Sequence, residues 1–486
     1  MAQTKATGFA ERNLAMLVDF YELTMANGYF ENGRANQIVY FDMFFRKIPN
    51  GGGFAIMAGV EQLVEYMKGL HFTEDDIQFL KGKGIFDERF LDYLRSFQFQ
   101  CDVWCVPEGT PIFPDEPLVT VRGPVIQAQF VETMVLLLIN HQSLIATKAN
   151  RIVRAAEGRG VMEFGTRRAH GTSAAIYGAR AAYIGGCMGT ACTVSERDHG
   201  ILALGTMAHS WVQMYPNEYE AFKKYAEVYP ENCVLLVDTY NVLRSGVPNA
   251  IRVFQEMKPK KMGIRIDSGD IAYLTKRSRE MLDEAGLQDC TIVVSNSLDE
   301  YSIRDVIMQG ACVDFFGVGE RLITAKSDPV FGGVYKLSAL EREGKMIPKM
   351  KISENVDKIT NPGFKTLYRL YSKETNRCLA DLIVLDEEDG PNGEPFEIFD
   401  PKAPWKRQWV TDYYAKNLRV PLFDKGECVY DFPTIDEIRD YCKEQVDALW
   451  EEMLRFERPQ LYYVDLSQRL YDLKQNLIAE NSEGTV

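Results

Sequence analysis

Between residues 161 and 322 the chain repeats one alternation of apolar and polar stretches seven times. VMEFGTRR (161–168), AYIGGCMGTACT (182–193), ILALGTMAHS (201–210), CVLLVDTYN (233–241), KMGIRIDSGD (261–270), TIVVSNSLD (291–299) and CVDFFGVGERL (312–322) share a layout. Each runs from a short apolar, often β-branched stretch into Gly, Ser, Thr, Asp, Asn, Arg or His. Continuous apolar runs of this length are what strands buried on both faces of a parallel sheet require. Charged segments of helical period separate most of them, as at 217–229, 274–286 and 300–310. Strand alternating with helix predicts βα units. Seven units predict an α/β fold with an irregular (β/α) barrel of TIM type over 146–340. Reactive groups of such barrels collect at the C-terminal strand ends, where all seven polar terminations fall.

The flanks follow a different pattern. Residues 14–30 predict an amphipathic helix, 38–59 a strand, a Gly-rich turn and a second strand or helix start, and 107–124 short Pro-punctuated strands. A long helix is expected over about 126–157. Residues 1–145 therefore form an N-terminal α+β domain, completed by about 340–425, and 426–486 form a C-terminal helical extension. No low-complexity linker separates these parts.

Composition narrows the class. At 486 residues, with 46% hydrophobic and 26% charged positions, the chain fits a globular protein of two or three units. The start MAQTKATGFAERN has no apolar signal core, so a cytoplasmic location is expected. The greasiest run, near Val135–Ile139, is too short for a bilayer span and is expected as a buried helix. Ten scattered cysteines show no paired framework, and CDVWC (101–105) lacks a second ligand pair, so packing rather than metal is expected there. A net charge of −14 excludes a general nucleic-acid binder. Anionic substrates would then depend on a few locally placed arginines.

Several strand ends offer such chemistry. Arg265 and Asp267 alternate along one strand and so share a face; they either act on a ligand or pair with each other. The SGD turn brings Ser268 and Asp270 to the start of a helix, suited to hydroxyls, phosphates or a hydrated metal. Gly317 and Gly319 of GVGE let backbone N–H groups approach an anion. Phe164 beside Arg167 and Arg168 suits a planar anion that stacks on the ring and pairs with a guanidinium. His209, beside Ser210, reads equally as base, donor, phosphoryl acceptor or packed core.

Nine ordered motifs, FYELTM (20–25), EFGTRR, GTMAHS, LVDTYNVLRSG, IRIDSGD, VVSNSLDE, FGVGERL, GGVYKL and KITNPG, resemble the nicotinate phosphoribosyltransferases, type II phosphoribosyltransferases with a barrel and an added N-terminal domain. The resemblance spans nearly the whole chain. It implies nicotinate, 5-phosphoribosyl-1-diphosphate (PRPP) and ATP as substrates, Mg2+ as cofactor, and nicotinate mononucleotide, diphosphate, ADP and phosphate as products, feeding NAD synthesis. It implies nicotinate binding by Tyr21, Thr206 and Arg265, with Phe164 and Tyr21 sandwiching the ring and Tyr21 supplied by the other subunit of a homodimer. It makes His209 the residue phosphorylated by ATP. Asp267, with Ser268, would hold ribose hydroxyls or metal, Asp270 being the other metal candidate, and the Gly317–Glu320 backbone would cradle the 5-phosphate. Asp238, Asn296 and Arg167 complete the expected substrate-binding set. Related nicotinamide enzymes carry an aspartate where this chain has Ala191, which favours the acid over the amide. The other readings are a nicotinamide or quinolinate phosphoribosyltransferase, or a barrel that binds nucleotide without turnover. Glu320, where relatives often have threonine, would repel a phosphate unless it faces away or binds Mg2+.

Overall fold

The computed structural model describes residues 13–355 and 358–482; the opening stretch MAQTKATGFAER lies outside them. Two compact units result: Ile145–Pro329, and the chain up to Leu144 together with that from Val330 onward.

In the first of these units most apolar runs become parallel strands, although the run at 182–184 closes the helix Thr172–Ile184 and only Gly189–Thr190 of that segment is strand. Gly189–Thr190, Gly160–Glu163, Phe315–Val318, Thr291–Ser295, Met262–Ile266 and Cys233–Leu236 are hydrogen-bonded in that order. The last strand in sequence thus lies beside the first, with Phe316 opposite Val161 and Val318 opposite Glu163. That pairing is the closing seam of a barrel. Val161, Leu235, Ile264, Val294, Phe316 and Val318 are all at most 2% exposed, which explains why the strands read as unbroken apolar runs. Intervening helices include Thr172–Ile184, Glu218–Val228, Val247–Met257, Ile271–Glu284 and Glu300–Met308.

One of the seven expected strands does not form. The 201–204 run contributes a single parallel bridge, Ala203 to Thr190, and no pairing joins it to Cys233–Leu236. Leu202 turns to solvent at 51% exposure, and Gly205 follows at once, so the run has neither a second partner strand nor two faces to bury. The barrel is open at this point.

The other unit is built on an antiparallel seven-stranded sheet. Its strand Ile38–Phe44 is flanked by Val119–Pro124 and by Val334–Arg342, which returns from far along the chain. A second sheet joins Tyr413–Asn417, Lys365–Ser372, Cys378–Leu385 and Val464–Leu466. The stretch 426–486 is therefore not helical throughout: Ile435–Asp447 and Gln468–Ser482 are helices, but Val464–Leu466 is a strand parallel to Cys378–Leu385. Its Asp465 and Leu466 are each 3% exposed, so burial within a sheet, not helical period, sets this short segment. The N-terminal helix begins only at Phe20, after Asp19 in extended backbone. The long helix is Val125–Phe130 followed by Glu132–Ala155; by length and composition it could cross a bilayer, but 72% of its apolar window is buried in the protein. All ten cysteines are free, and burial pushes the Cys101 and Cys105 thiols well up from their usual range.

Candidate active site

Arg265 is the fourth residue of Met262–Ile266. Ile264 and Ile266 are fully buried, so the period of two turns Arg265 to the opposite face. Its Nη1 donates to Thr206 Oγ1 at 2.6 Å and to the Met207 carbonyl at 3.3 Å. Its Nε–H is buried without an acceptor. The Nε–Nη2 edge of a guanidinium is one that grips a carboxylate through two parallel bonds. Burial lowers the pKa of Arg265, and the charges of Asp267 and Asp238 work against that shift. The group is thus a half-satisfied, partly desolvated cation, which is what an anionic ligand would complete.

Arg265 and Asp267 do not pair with each other. Asp267 Oδ1 accepts from Ser295 Oγ at 2.5 Å, and its Oδ2 lies 3.8 Å from His209 Nε2. His209 opens the single-turn helix His209–Gln213. The other side of its ring, Nδ1, is 3.2 Å from Thr239 Oγ1, and 41% of the side chain is exposed. Next to it, Asp238 Oδ2 accepts from Ser268 Oγ at 2.6 Å while Asp238 Oδ1 is buried without a partner. Side-chain contacts thus pair Thr206 with Arg265, His209 with Asp267 and Asp238 with Ser268, and the charges of Asp267 and Asp238 act on Arg265. The packed-core reading of His209 does not hold, because its ring stands between two polar groups at a half-open edge.

Phe164 follows Gly160–Glu163, and its N–H donates to the Val318 carbonyl at 2.8 Å. The ring lies across Gly317, where an added Cβ would sit 2.5 Å from Cδ2. Gly317 is within its strand, in register with Ser295 and Met162. Its glycine is required for seating Phe164, a packing role that the sequence did not suggest. Gly319 stands at the strand end before the one-turn helix Glu320–Ile323. Glu320 is exposed and meets Lys326 Nζ at 3.1 Å, and that ammonium holds its carboxyl below the usual range. Its charge is already engaged by that ammonium.

Other expected residues fall outside the cluster. Asp270 caps the helix Ile271–Glu284, accepting from the Tyr273 N–H at 2.8 Å, so this carboxylate serves the helix rather than a metal. Asn296 is exposed, as are Arg167 and Arg168 in a short turn; the charge of Arg167 acts on Arg265. Tyr21 belongs to the other unit, on the helix Phe20–Glu31, 44% exposed. Partial burial and the neighbouring Glu132 raise its phenol pKa. Among the described residues no group of three His, Cys, Asp or Glu side chains could hold a metal.

Three functional groups escaped the sequence reading. Thr239, three residues past the strand Cys233–Leu236, and Ser295, the last residue of Thr291–Ser295, are ordinary hydroxyls, and only the register brings them to His209 and Asp267. Glu163 is fully buried, with its carboxylate accepting from the Gly165 N–H and from Thr190 Oγ1 at 2.6 Å. Burial raises its pKa. It ties the Phe164 strand end to the turn that carries Ala191, whose N–H donates to the Glu163 carbonyl.

Three family signatures match in order: the nicotinate phosphoribosyltransferase N-terminal domain over 16–140, the nicotinate phosphoribosyltransferase family over 160–371 and the nicotinate phosphoribosyltransferase C-terminal domain over 364–474. The chain is 42% identical over 475 residues to nicotinate phosphoribosyltransferase of Bacillus subtilis, covering 97% of each. Its structure resembles that of human nicotinic acid phosphoribosyltransferase with a TM-score of 0.84 at 28% identity, covering 95% of this chain and 100% of the other. It also resembles a nicotinate-nucleotide pyrophosphorylase from Pyrococcus furiosus, with a TM-score of 0.70 at 26% identity over 92% of this chain and 99% of the other.

Proposed function

The chain belongs to the nicotinate phosphoribosyltransferase family and is an enzyme of that type in NAD biosynthesis, and from that premise we propose that its joining of nicotinate to PRPP is driven by ATP through a phosphohistidine at His209. The observation that carries the reading is the Arg265 fork, bonded to Thr206 by one nitrogen and buried without an acceptor at Nε.

Nicotinate's carboxylate takes the open edge of Arg265, with the Thr206 hydroxyl beside it. Phe164 supplies one face for the ring, and Tyr21 of the other subunit of a homodimer the second. Ala191 adds no charge near the carboxylate, whereas an aspartate would repel it. So held, the pyridine nitrogen attacks C1 of the ribose while diphosphate leaves, and the gain comes from fixed orientation and from charges set in place beforehand. Asp238 and Ser268, bonded to each other, would take the ribose hydroxyls. Asp238 and Asp267 are oxygen donors suited to Mg2+, but with no three-residue cage among the described residues the ion would be held mainly by the diphosphate. When bound, Mg2+ neutralises charge on the leaving group. A phosphoryl group on His209 puts a fixed anion in the same site, and it favours synthesis by changing which ligands bind tightly.

Incubation with ATP labelled in its γ-phosphate tests this. The expected label is acid-labile, alkali-stable, confined to the peptide carrying His209, and released by nicotinate with PRPP. An acid-stable label on Ser210, or none at all, would refute the phosphohistidine.

A further inference from the structure

Glu163 ends the strand Gly160–Glu163 with its side chain fully buried. One carboxylate oxygen accepts from the Gly165 N–H, and the other from Thr190 Oγ1 at 2.6 Å. Thr190 Oγ1 also accepts the Cys192 N–H at 3.0 Å, so its own proton is committed to Glu163. Both groups that face the carboxylate are therefore donors, which an ionised acid satisfies and an amide does not. Burial pushes the pKa of Glu163 up, those two bonds oppose the shift, and no cation contributes. A charge buried without a counter-ion costs stability. Its bonds end on two segments of the site: Gly165 directly follows Phe164, and Thr190 directly precedes Ala191.

Phe164 is constrained on each side of this anchor. Its N–H donates to the Val318 carbonyl at 2.8 Å, and its ring is seated on Gly317. A Cβ on Gly165 would sit 2.7 Å from Glu163 Oε1 and 2.6 Å from Ile323 Cβ, so the chain after Phe164 lies as close to the carboxylate as glycine permits. On the other side, the Ala191 N–H donates to the Glu163 carbonyl. The main chain and side chain of one residue thus hold the Phe164 segment and the Ala191 turn in a fixed relation. We propose that Glu163 is a positioning residue for nicotinate, which sets the aromatic face that the pyridine ring meets at a cost in fold stability. This rests on Phe164 as one face of the nicotinate seat, and adds the residue that fixes that face.

Variants of the full chain test this by steady-state kinetics in each substrate. Glu163→Gln keeps the shape but offers one acceptor where two donors arrive, so Gly165 or Thr190 loses its bond. The KM for nicotinate is expected to rise about tenfold, the worth of one hydrogen bond to a charged group, while the KM for PRPP stays nearly unchanged. Thr190→Val should show the same selective rise, and Thr190→Ser, which keeps the hydroxyl, should recover most of it. The two changes remove the same bond, so Glu163→Gln combined with Thr190→Val should be little worse than either alone. Effects that multiply in the double variant, or a KM that rises equally for both substrates, would contradict a role specific to the ring. Arg265→Ala separates this role from the reading beneath it. If that variant raises the KM for nicotinate and neither Glu163→Gln nor Thr190→Val does, Glu163 alone loses its role. If all three leave it unchanged, the nicotinate seat lies elsewhere and the role of Glu163 falls with it.

Discussion

In an Arg265→Ala variant the KM for nicotinate is expected to rise about a hundredfold while kcat changes far less. One bidentate charged contact is worth about 3 kcal/mol at a partly desolvated site, and each 1.4 kcal/mol is about tenfold. The loss falls on ground-state binding because the carboxylate is remote from the pyridine nitrogen that reacts. The Arg265→Lys variant should recover only part of it: an ammonium keeps the charge but cannot offer two parallel donors or hold Thr206 through a second nitrogen. Steady-state saturation with nicotinate at fixed PRPP, with calorimetric titration as a cross-check, reads the effect. An unchanged KM would show that the carboxylate is held elsewhere.

The second large effect is expected at His209. In His209→Ala, ATP hydrolysis tied to nucleotide formation should fall by at least about a thousandfold, as when a residue that forms a covalent intermediate is removed. Nucleotide synthesis from nicotinate and PRPP should persist at reduced efficiency, because Arg265, Phe164 and the Asp238–Ser268 pair are untouched. The final ratio of nucleotide to nicotinate should then no longer respond to ATP. Quantifying ADP and nicotinate mononucleotide in the same reaction checks both statements. Coupling retained in this variant would mean that ATP acts without a phosphohistidine.

The barrel was legible because its strands are buried on both faces, which leaves unbroken apolar runs, and because each run ends in polar residues. What periodicity cannot report is which runs find two neighbours. The 201–204 stretch has the right composition yet forms only the Ala203–Thr190 bridge, since hydrogen-bond partners are a property of the assembled sheet. The same limit applies to the site. Arg265 stood out by alternation within IRID, but its bond to Thr206 joins residues 59 apart in sequence. Thr239 and Ser295 carried no signal of their own. Asp270 is a different case: an aspartate directly before a helical segment is an N-cap signature, and that local reading outweighs the metal role given to it. Glu320 looked like a misplaced charge beside a phosphate loop until Lys326, six residues on, was seen to take it up.

If an arginine seat at a barrel strand end selects the carboxylate and ATP drives its use, acid and amide must differ sharply in turnover. Turnover of the purified chain with PRPP and Mg2+ tests it most directly, comparing nicotinate with nicotinamide, each with and without ATP. Nucleotide is expected from nicotinate at a rate and final yield raised by ATP, and little or none from nicotinamide under any condition. Preference for the amide, or a rate and yield from nicotinate that ignore ATP, would contradict it.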